Sequence, residues 1–458
     1  YSVQTHGLLP TIRHHFIGQG RNSVEHARHY ITGLMGTQRS KNIETFENDV
    51  VGSDYQGMEQ FISSSPWDHC ALLDDVARDA SEMIGDDSEA GIFIDETSFL
   101  KKGKSSVGVQ RQWSGRIGKV ENCQVGVFAC LGRKDEFALI DFKLYLPESW
   151  VADPERCSKA KIPEDQRVYQ PKWQQALDLI ERARANKVKF GWVGVDALYG
   201  NSQEFINSLE DSGEHFMADI HSNHKVWLER PPLENPLPRD GKRGRPATKL
   251  KIPASNDRSL YQRVDRICRD HFDQNSKEVS FRAGAKGQLT GRFYTRVIWT
   301  WDEKNGSPPR QRILLIREDE SGDLKYSLTN FPPETSLSRL AYIQNQRYWI
   351  EHAFHEAKNE LGMSQYQVRV WQGWHHHMAL ICLATVFMAK EKQTSKSAHP
   401  LLSCRDIVEL LDYYLPRRHR EEEELYAQIK KRHAARQRDI DRKKQHKPGL
   451  RKDIHLTK

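Results

Sequence analysis

The sequence predicts a mixed α/β fold, in which a β-rich insertion interrupts the sheet domain and helical regions flank it. Three apolar segments, at 92–94, 123–131 and 137–147, are typical of successive strands. An amphipathic helix at 172–186 then leads into a short apolar run that ends at Asp196. A further helix and strand follow, and this alternation indicates helices packed on a mixed sheet.

The alternation breaks at residue 221. The segment "RPPLENPLPRDGKRGRPATK" is rich in Pro, Gly and cations, which predicts a loop, and β-type segments follow it. Helices are then predicted at about 337–361, at 373–392 and in "CRDIVELLDYYL". We therefore divide the chain into five parts: a helical N-terminal region (1–88), a first part of the sheet domain (89–220), the insertion with its basic loop (221–332), a second part of the sheet domain (333–392), and a C-terminal helical region with a basic tail (393–458).

Composition narrows the class of protein. A chain of 458 residues favours two or three domains. The longest apolar run, at 378–389, covers about half a bilayer and predicts a buried helix rather than a membrane span. We see no signal-peptide pattern at the start of the sequence. Seven scattered cysteines without CxxC spacing argue against disulfides and zinc, and are typical of a reducing cytoplasm.

Positive charge is concentrated at one end. Residues 417–458 hold 15 Lys and Arg against 7 Asp and Glu, although the whole chain is only +7. A basic tail on a nearly neutral body indicates a polyanionic partner, and a solvated, fraying tail is the equal alternative on charge alone.

Three acids stand out by position. Asp95 is predicted to end the first strand and Asp196 the fourth, while Glu351 lies within the first long helix after the insertion. Functional side chains collect at the carboxyl ends of strands in such sheets. Carboxylates are the ligands that Mg²⁺ prefers, and paired metal ions support phosphoryl transfer. The lysines just after Asp95 suit the phosphates of a substrate.

Each acid also has an ordinary structural interpretation. Asp95 can be a turn acid after a strand, and Asp196 can cap the following helix. Glu351 can form a simple helix ion pair with Arg347, four residues away. Arg347, Glu351 and Lys358 fall on one helix face within about 40°, which suits a metal ligand between phosphate-holding cations and also a solvated charged stripe.

Long blocks of this sequence resemble the DDE transposases of the insertion-sequence 701 family, within the insertion-sequence 4 group. These include "IDETSFLKKGKSSVGVQRQWSGRIGKVENCQVGVF", "LYLPESWVADPERCSKAKIPED", "FGWVGVDALYGN" and "FMADIHSNHKVW". The wider group carries a Tyr-x2-Arg-x3-Glu-x6-Lys signature around its third acid. Arg347, Glu351 and Lys358 match it, but Gln344 stands at the tyrosine position, and Tyr342 is only a possible substitute.

The resemblance implies an RNase H-like catalytic domain that holds two Mg²⁺ ions, with Mn²⁺ as the expected substitute, through Asp95, Asp196 and Glu351. It implies binding of double-stranded terminal inverted repeats by the N-terminal helices, cleavage at the element ends, and joining of 3′-hydroxyl ends to target DNA in a cut-and-paste reaction. We also expect a homodimer on DNA and a prokaryotic, nucleoid-associated location. A nuclease that cuts without joining and a domesticated DNA-binding protein are the alternatives.

Two segments carry candidate DNA contacts beside Arg347 and Lys358. In "KRGRPATK", the Arg-Gly-Arg-Pro stretch with Arg243 and Arg245 matches the core of an AT-hook, and Lys242 precedes it. A flexible cationic loop is the favoured interpretation, and Lys242, Arg243 and Arg245 are its candidate DNA contacts. The segment after Asp95 interleaves cations with an aromatic residue, a pattern suited to an unstacked strand, although a solvated hairpin has the same composition. Its candidates are Lys101, Lys102, Lys104, Arg111, Trp113, Arg116 and Lys119.

The run His375, His376 and His377 does not predict a metal site. Consecutive histidines point in different directions around a helix, so they cannot all bind one ion. We interpret them as structural or DNA-facing, and Trp371 and Trp374 as core residues.

Overall fold

The computed structural model describes residues 11–18, 21–36, 40–234, 249–253, 258–284, 287–302, 308–418 and 421–445. Its strands, numbered along the chain, are β1 Ile17–Gly18, β2 Arg21–Asn22, β3 Asp86–Leu100, β4 Gln110–Ser114, β5 Lys119–Arg133, β6 Glu136–Leu144, β7 Phe190–Val195, β8 Phe216–Ile220, β9 Lys225–Trp227, β10 Tyr261–Arg263, β11 Lys277–Gly284, β12 Gly287–Thr300, β13 Arg310–Glu318 and β14 Leu324–Thr329.

The α-helices of the same described ranges are α1 Val24–Gly36, α2 Ile43–Asp49, α3 Tyr55–Ser63, α4 His69–Ile84, α5 Glu148–Val151, α6 Pro154–Lys159, α7 Lys172–Ala185, α8 Ala197–Gly200, α9 Gln203–Asp211, α10 Val264–Asn275, α11 Leu337–Gln346, α12 Tyr348–Asn359, α13 Trp371–Ser395, α14 Cys404–Tyr414 and α15 Glu422–Gln445. Polar side chains begin several of them. Asp68 accepts from the backbone of α4, for example, and Ser336 from that of α11.

Strands β3 to β14 form one mixed sheet. The order along its main path is β10-β9-β12-β13-β14-β8-β7-β3-β5-β4, with β11 beside β12 and β6 beside β5. β3, β7 and β8 are parallel to one another, and the other pairs are antiparallel. The strands of the 221–332 segment therefore continue the same sheet, because β14 pairs directly with β8.

The structure differs from the sequence-based predictions in three places. The first strand does not end at Asp95: it continues to Leu100, because β5 pairs with it in antiparallel register as far as Cys123. The helix predicted at 337–361 is two helices that meet at Arg347, where Ile350 N–H donates to Arg347 O in a shorter, three-residue step. The insertion also contains helix α10, which buries apolar residues at three- and four-residue spacing.

Helix α13 is buried around most of its circumference and packs against β6, α3 and α4. Its histidines attach it to the N-terminal helices: His377 Nδ1 lies 2.8 Å from the Tyr30 hydroxyl, and the His376 ring stacks on Trp67 with centroids 3.8 Å apart. His375, His376 and His377 are at most 6% exposed, which supports the structural interpretation over a DNA-facing one. Trp374 is fully buried, as predicted for a core residue, and Trp371 is half-buried.

Candidate active site

Asp95 and Asp196 leave two neighbouring parallel strands at the same level. The last pair in the ladder between β3 and β7 is Ile94 with Val195, and each acid is the next residue. Because adjacent strands lie about 4.8 Å apart, the two backbones bring these acids side by side. Asp95 lies within β3, which continues beside β5, so it is not at the strand end that was predicted. Only the parallel ladder with β7 ends one residue before it.

The surroundings of both acids disfavour their charged forms. Burial raises the pKa of Asp95 well above its ordinary value, and the neighbouring Asp196 carboxylate raises it further, while Arg347 opposes this. Burial and the nearby Glu96 charge raise the pKa of Asp196 in the same way. Close, buried carboxylates that repel one another are a common mark of functional sites, and a cation that relieves this repulsion binds there favourably.

Arg347 connects Glu351 to Asp95. Arg347 Nη1 lies 3.4 Å from Asp95 Oδ2, and Arg347 Nη2 donates to Glu351 Oε1 at 2.7 Å. The side chain of Arg347 is 14% exposed and that of Glu351 is 53% exposed. The guanidinium therefore stands between the two carboxylates. Burial by itself lowers the pKa of Arg347, but the surrounding carboxylates, Asp219 foremost, raise it above its usual value.

The three acids form an open group. Within the ranges that the structure describes, the sets of three side chains with metal-ligating atoms mutually within 4.8 Å lie elsewhere, at His14–His15–Asp75 and Asp68–His69–Cys70. The donor set of Asp95, Asp196 and Glu351 is nonetheless all carboxylate oxygen, which fits a hard divalent cation. Glu351 is exposed on helix α12, where its carboxylate is paired with Arg347.

Two of the ordinary structural interpretations are observed together with this geometry. Asp196 Oδ1 accepts from Leu198 N at 2.9 Å and caps α8, and Arg347 forms the expected ion pair with Glu351. The cap fixes one oxygen of Asp196, and the ion pair joins Glu351 to a guanidinium that also contacts Asp95. Asp95 itself is not a turn acid, since it lies inside a strand.

Two further acids at the site were missed by the sequence reasoning. Asp219, in β8, accepts from Arg347 Nε at 3.1 Å and is 7% exposed. Glu96 accepts from Lys172 Nζ at 2.9 Å and from the Tyr199 hydroxyl at 3.2 Å. The available signal for Asp219 was a charged residue inside the otherwise apolar strand "FMADI", whose positions are all buried. Glu96 is held by a lysine and a tyrosine, which distinguishes it from the three candidate ligands.

The other residues at or near the signature positions are Lys358, Gln344 and Tyr342, and their side chains have partners other than the three candidate acids. Lys358 donates to Thr97 Oγ1, so both Arg347 and Lys358 attach the helix pair α11–α12 to β3. Gln344 is 2% exposed and donates to Ser327 Oγ at 2.8 Å. Tyr342 packs beside Arg339, whose guanidinium lies 5.3 Å from the ring centroid. The side chain of Tyr342 thus has a partner apart from the carboxylates, which argues against its replacing the signature tyrosine.

Among the cations of the segment after Asp95 whose side chains the structure describes, Lys101 faces inward. Lys101 Nζ lies 3.5 Å from the centre of the Tyr366 ring, and burial lowers the pKa of Lys101 to about 8. Trp113 is 60% exposed on the β4–β5 hairpin. The exposed cations of this surface, which we call the hairpin surface, are Lys102, Lys104, Arg111 and Lys119. The side chain of Arg116, and Lys242, Arg243 and Arg245 of the AT-hook-like loop, lie outside what the structure describes.

A cavity of 450 Å³ opens beside Glu351, between α12 and strands of the insertion. Its wall includes the cations Arg282, Arg317, Lys325 and Arg347. Arg282 lies 3.9 Å from the centre of the Tyr348 ring, which is itself 40% exposed. The wall also includes the acids Asp319 and Glu320, so the cavity presents charges of both signs and an aromatic surface next to Glu351.

A mixed sheet that brings two acids side by side is compatible with a metal-dependent enzyme. Comparison with known proteins identifies the family. The chain belongs to the DDE superfamily endonucleases, whose family model matches residues 19–288. Endonucleases of this superfamily use divalent metal ions. The chain is also similar to a probable transposase for insertion sequence element IS701 from Microchaete diplosiphon, with 24% identity over 353 residues that cover 76% of this chain and 77% of the relative. These matches confirm the family resemblance seen in the sequence.

Among the described residues, the helices include none that combines the length and the apolar character needed to cross a bilayer. The apolar run at 378–389 belongs to α13 and is buried in the protein, as predicted.

Proposed function

We propose that this protein is a DNA transposase that cleaves the ends of an insertion sequence and joins the resulting 3′-hydroxyl ends to target DNA. The observation that carries the proposal is the placement of Asp95 and Asp196 on adjacent parallel strands, with Arg347 joining Asp95 to Glu351. Family membership supports an endonuclease acting on DNA, and the similarity to a probable transposase supports the joining step.

We assign Mg²⁺ as the metal, with Mn²⁺ as a substitute, and an RNase H-like fold to the parallel core of β3, β7 and β8. Asp95 and Asp196 supply fixed oxygen ligands, and Glu351 supplies an exposed one. When held by these residues, divalent cations would supply activation of an oxygen nucleophile and stabilisation of the departing oxygen of a phosphodiester. The chain's own contribution is to hold the ligands in a largely dry site and to present cations to the phosphates on either side.

The DNA path that we propose runs over the hairpin surface, past the acids, to the cavity beside Glu351. Lys102, Lys104, Arg111 and Lys119 supply phosphate contacts, and Trp113 supplies an aromatic face for an unstacked base. Arg116, the loop cations Lys242, Arg243 and Arg245, and the basic tail are further DNA-binding candidates in this proposal, on the grounds of their sequence alone. We assign terminal-repeat binding to the N-terminal helices and a homodimer to the DNA complex, because two ends must be processed together.

A joining assay tests the proposal against a nuclease that only cuts. A duplex carrying a terminal repeat and a pre-cleaved 3′-hydroxyl end is incubated with the full chain, plasmid and Mg²⁺. A transposase yields plasmid with the duplex covalently attached, and Asp95→Asn yields none. Cleavage of an intact end without any joined product would identify the nuclease, and repeat binding without cleavage would identify a DNA-binding protein.

A further inference from the structure

A chain of buried polar side chains leads from the insertion to Arg347. Ser327 and Asp219 are partners across the β14–β8 ladder, and Ser327 Oγ donates to Asp219 Oδ1 at 2.7 Å. Gln344 Nε2 donates in turn to Ser327 Oγ. The direction of the chain is fixed, because an ionised carboxylate only accepts and the hydroxyl must then take its own hydrogen bond from the amide. Asp219 is therefore held in one orientation toward Arg347.

Arg347 has three carboxylate partners, and each uses a different nitrogen. Nε donates to Asp219 Oδ2 at 3.1 Å, while Nη1 faces Asp95 and Nη2 donates to Glu351. A divalent cation held by Asp95 and Glu351 repels a guanidinium in contact with the same oxygens. The Nη contacts are weakened by this repulsion, whereas Nε donates to a separate carboxylate, that of Asp219.

We propose that Asp219 is a positioning residue, which retains Arg347 when a divalent cation takes Asp95 and Glu351. This inference rests on the proposed metal site. It adds Asp219 to the three proposed ligands as a carboxylate that does not bind the metal. Asp219 also pairs with Lys325 Nζ at 3.1 Å and is almost fully buried, so it stays in place when the guanidinium moves. Gln344, at the signature tyrosine position, serves in this arrangement to orient Asp219 through Ser327.

In this inference, Arg347 competes with the metal for Asp95 and Glu351. How strongly it competes depends on its contact with Asp219. Without Asp219, the guanidinium keeps only Asp95 and Glu351 as partners, and it competes with the metal more strongly. A residue that merely supports the sheet affects folding whether or not Arg347 is present. The two roles are therefore separated by measuring metal binding in two backgrounds, with and without Arg347.

The experiment is titration of the full chain with Mn²⁺ alone, followed by electron paramagnetic resonance. Asp219→Asn raises the Mn²⁺ dissociation constant about tenfold or more, as is typical when a group supporting a metal ligand is lost. In an Arg347→Gln background the same substitution changes the constant by less than about twofold, since the two residues act through one contact. Ser327→Ala, which keeps the charge of Asp219, shifts the constant in the same direction by less. Asp211→Asn, at an acid paired with Arg310, is the matched control.

The outcomes separate this inference from the proposal beneath it. Wild-type Mn²⁺ binding that Asp95→Asn leaves intact contradicts the metal site itself, and the inference with it. If Asp95→Asn abolishes binding but Asp219→Asn does not alter it, the metal site stands and the positioning role is wrong. Equal effects of Asp219→Asn in both backgrounds also overturn the role, because they show that Asp219 acts without Arg347.

Discussion

Asp95 and Asp196 are adjacent in space, although they lie 101 positions apart in the chain, because each directly follows one member of the Ile94–Val195 pair. Replacing either with Asn keeps its size and removes its charge. We expect DNA cleavage to fall at least about a thousandfold, since metal-held charge stabilisation is worth several kcal/mol. Gel analysis of an end-labelled terminal duplex measures the rate, and mobility shift shows that DNA binding is retained.

Glu351→Gln is expected to lose cleavage in the same assay. Asp135→Asn serves as the control for all three variants, because Asp135 is an acid paired with Lys396 on the surface. A variant at Asp95, Asp196 or Glu351 that cleaves at the wild-type rate removes that residue from the mechanism.

Lys101 and Lys102 are neighbours with opposite environments, and they provide a matched pair. Lys102→Ala is expected to reduce the slope of log affinity against log salt by about one, the value for one lost phosphate contact. Lys101→Ala is expected to leave the slope unchanged, because its ammonium faces the Tyr366 ring. Fluorescence anisotropy of a labelled duplex across a salt series measures both slopes. Equal slopes for the two variants would remove the hairpin surface from the DNA path.

Tyr342 and Gln344 make different contacts, so we expect their substitutions to have different effects on cleavage and stability. Tyr342→Phe is expected to leave the cleavage rate within about twofold of wild type, since only a hydroxyl beside Arg339 is lost. Gln344→Leu removes the donor to buried Ser327 and is expected to lower the free energy of unfolding by about 1–3 kcal/mol. Denaturant unfolding and the cleavage assay measure these effects. A large cleavage defect in Tyr342→Phe would restore Tyr342 as a substitute for the signature tyrosine.

Burial of His377 makes stability depend on pH. Burial lowers the pKa of His377 to about 3, from 6.5 in the unfolded chain. The unfolded state therefore binds the proton first on acidification, so stability is lost as the pH falls below 6.5. The loss is about 1.4 kcal/mol per pH unit for one such histidine. Unfolding midpoints measured from pH 7 to pH 5 should fall less steeply in His377→Gln than in wild type, whereas the exposed His433→Gln should keep the wild-type slope.

The mixed sheet and the positions of the candidate acids next to strands were predictable from the sequence. Apolar runs ending in an acid at Asp95 and Asp196 predicted both carboxylates, and the spacing of Arg347, Glu351 and Lys358 predicted a shared helix face. The end of β3 was not predictable in the same way. The four residues after Ile94 are polar, and pairing with β5 keeps this part of β3 extended.

Contacts between distant segments account for the other misses. Asp219 becomes part of the site because β8 lies beside β7 on one side and β14 on the other, and a single sequence does not give that order. The junction at Arg347 has no Pro or Gly to mark it. It is accompanied by contacts of the arginine with acids on three separate elements.

The direct pairing of β14 with β8 determines whether the insertion can be removed from the rest of the sheet. The strands of the insertion form one end of the sheet and join the rest of it through the β14–β8 ladder. Removal of residues 221–332 would therefore leave β8 as an unpaired edge that favours aggregation. β8, which carries Asp219, is thus paired on one side with the insertion strand β14 and on the other with β7, the strand that directly precedes Asp196.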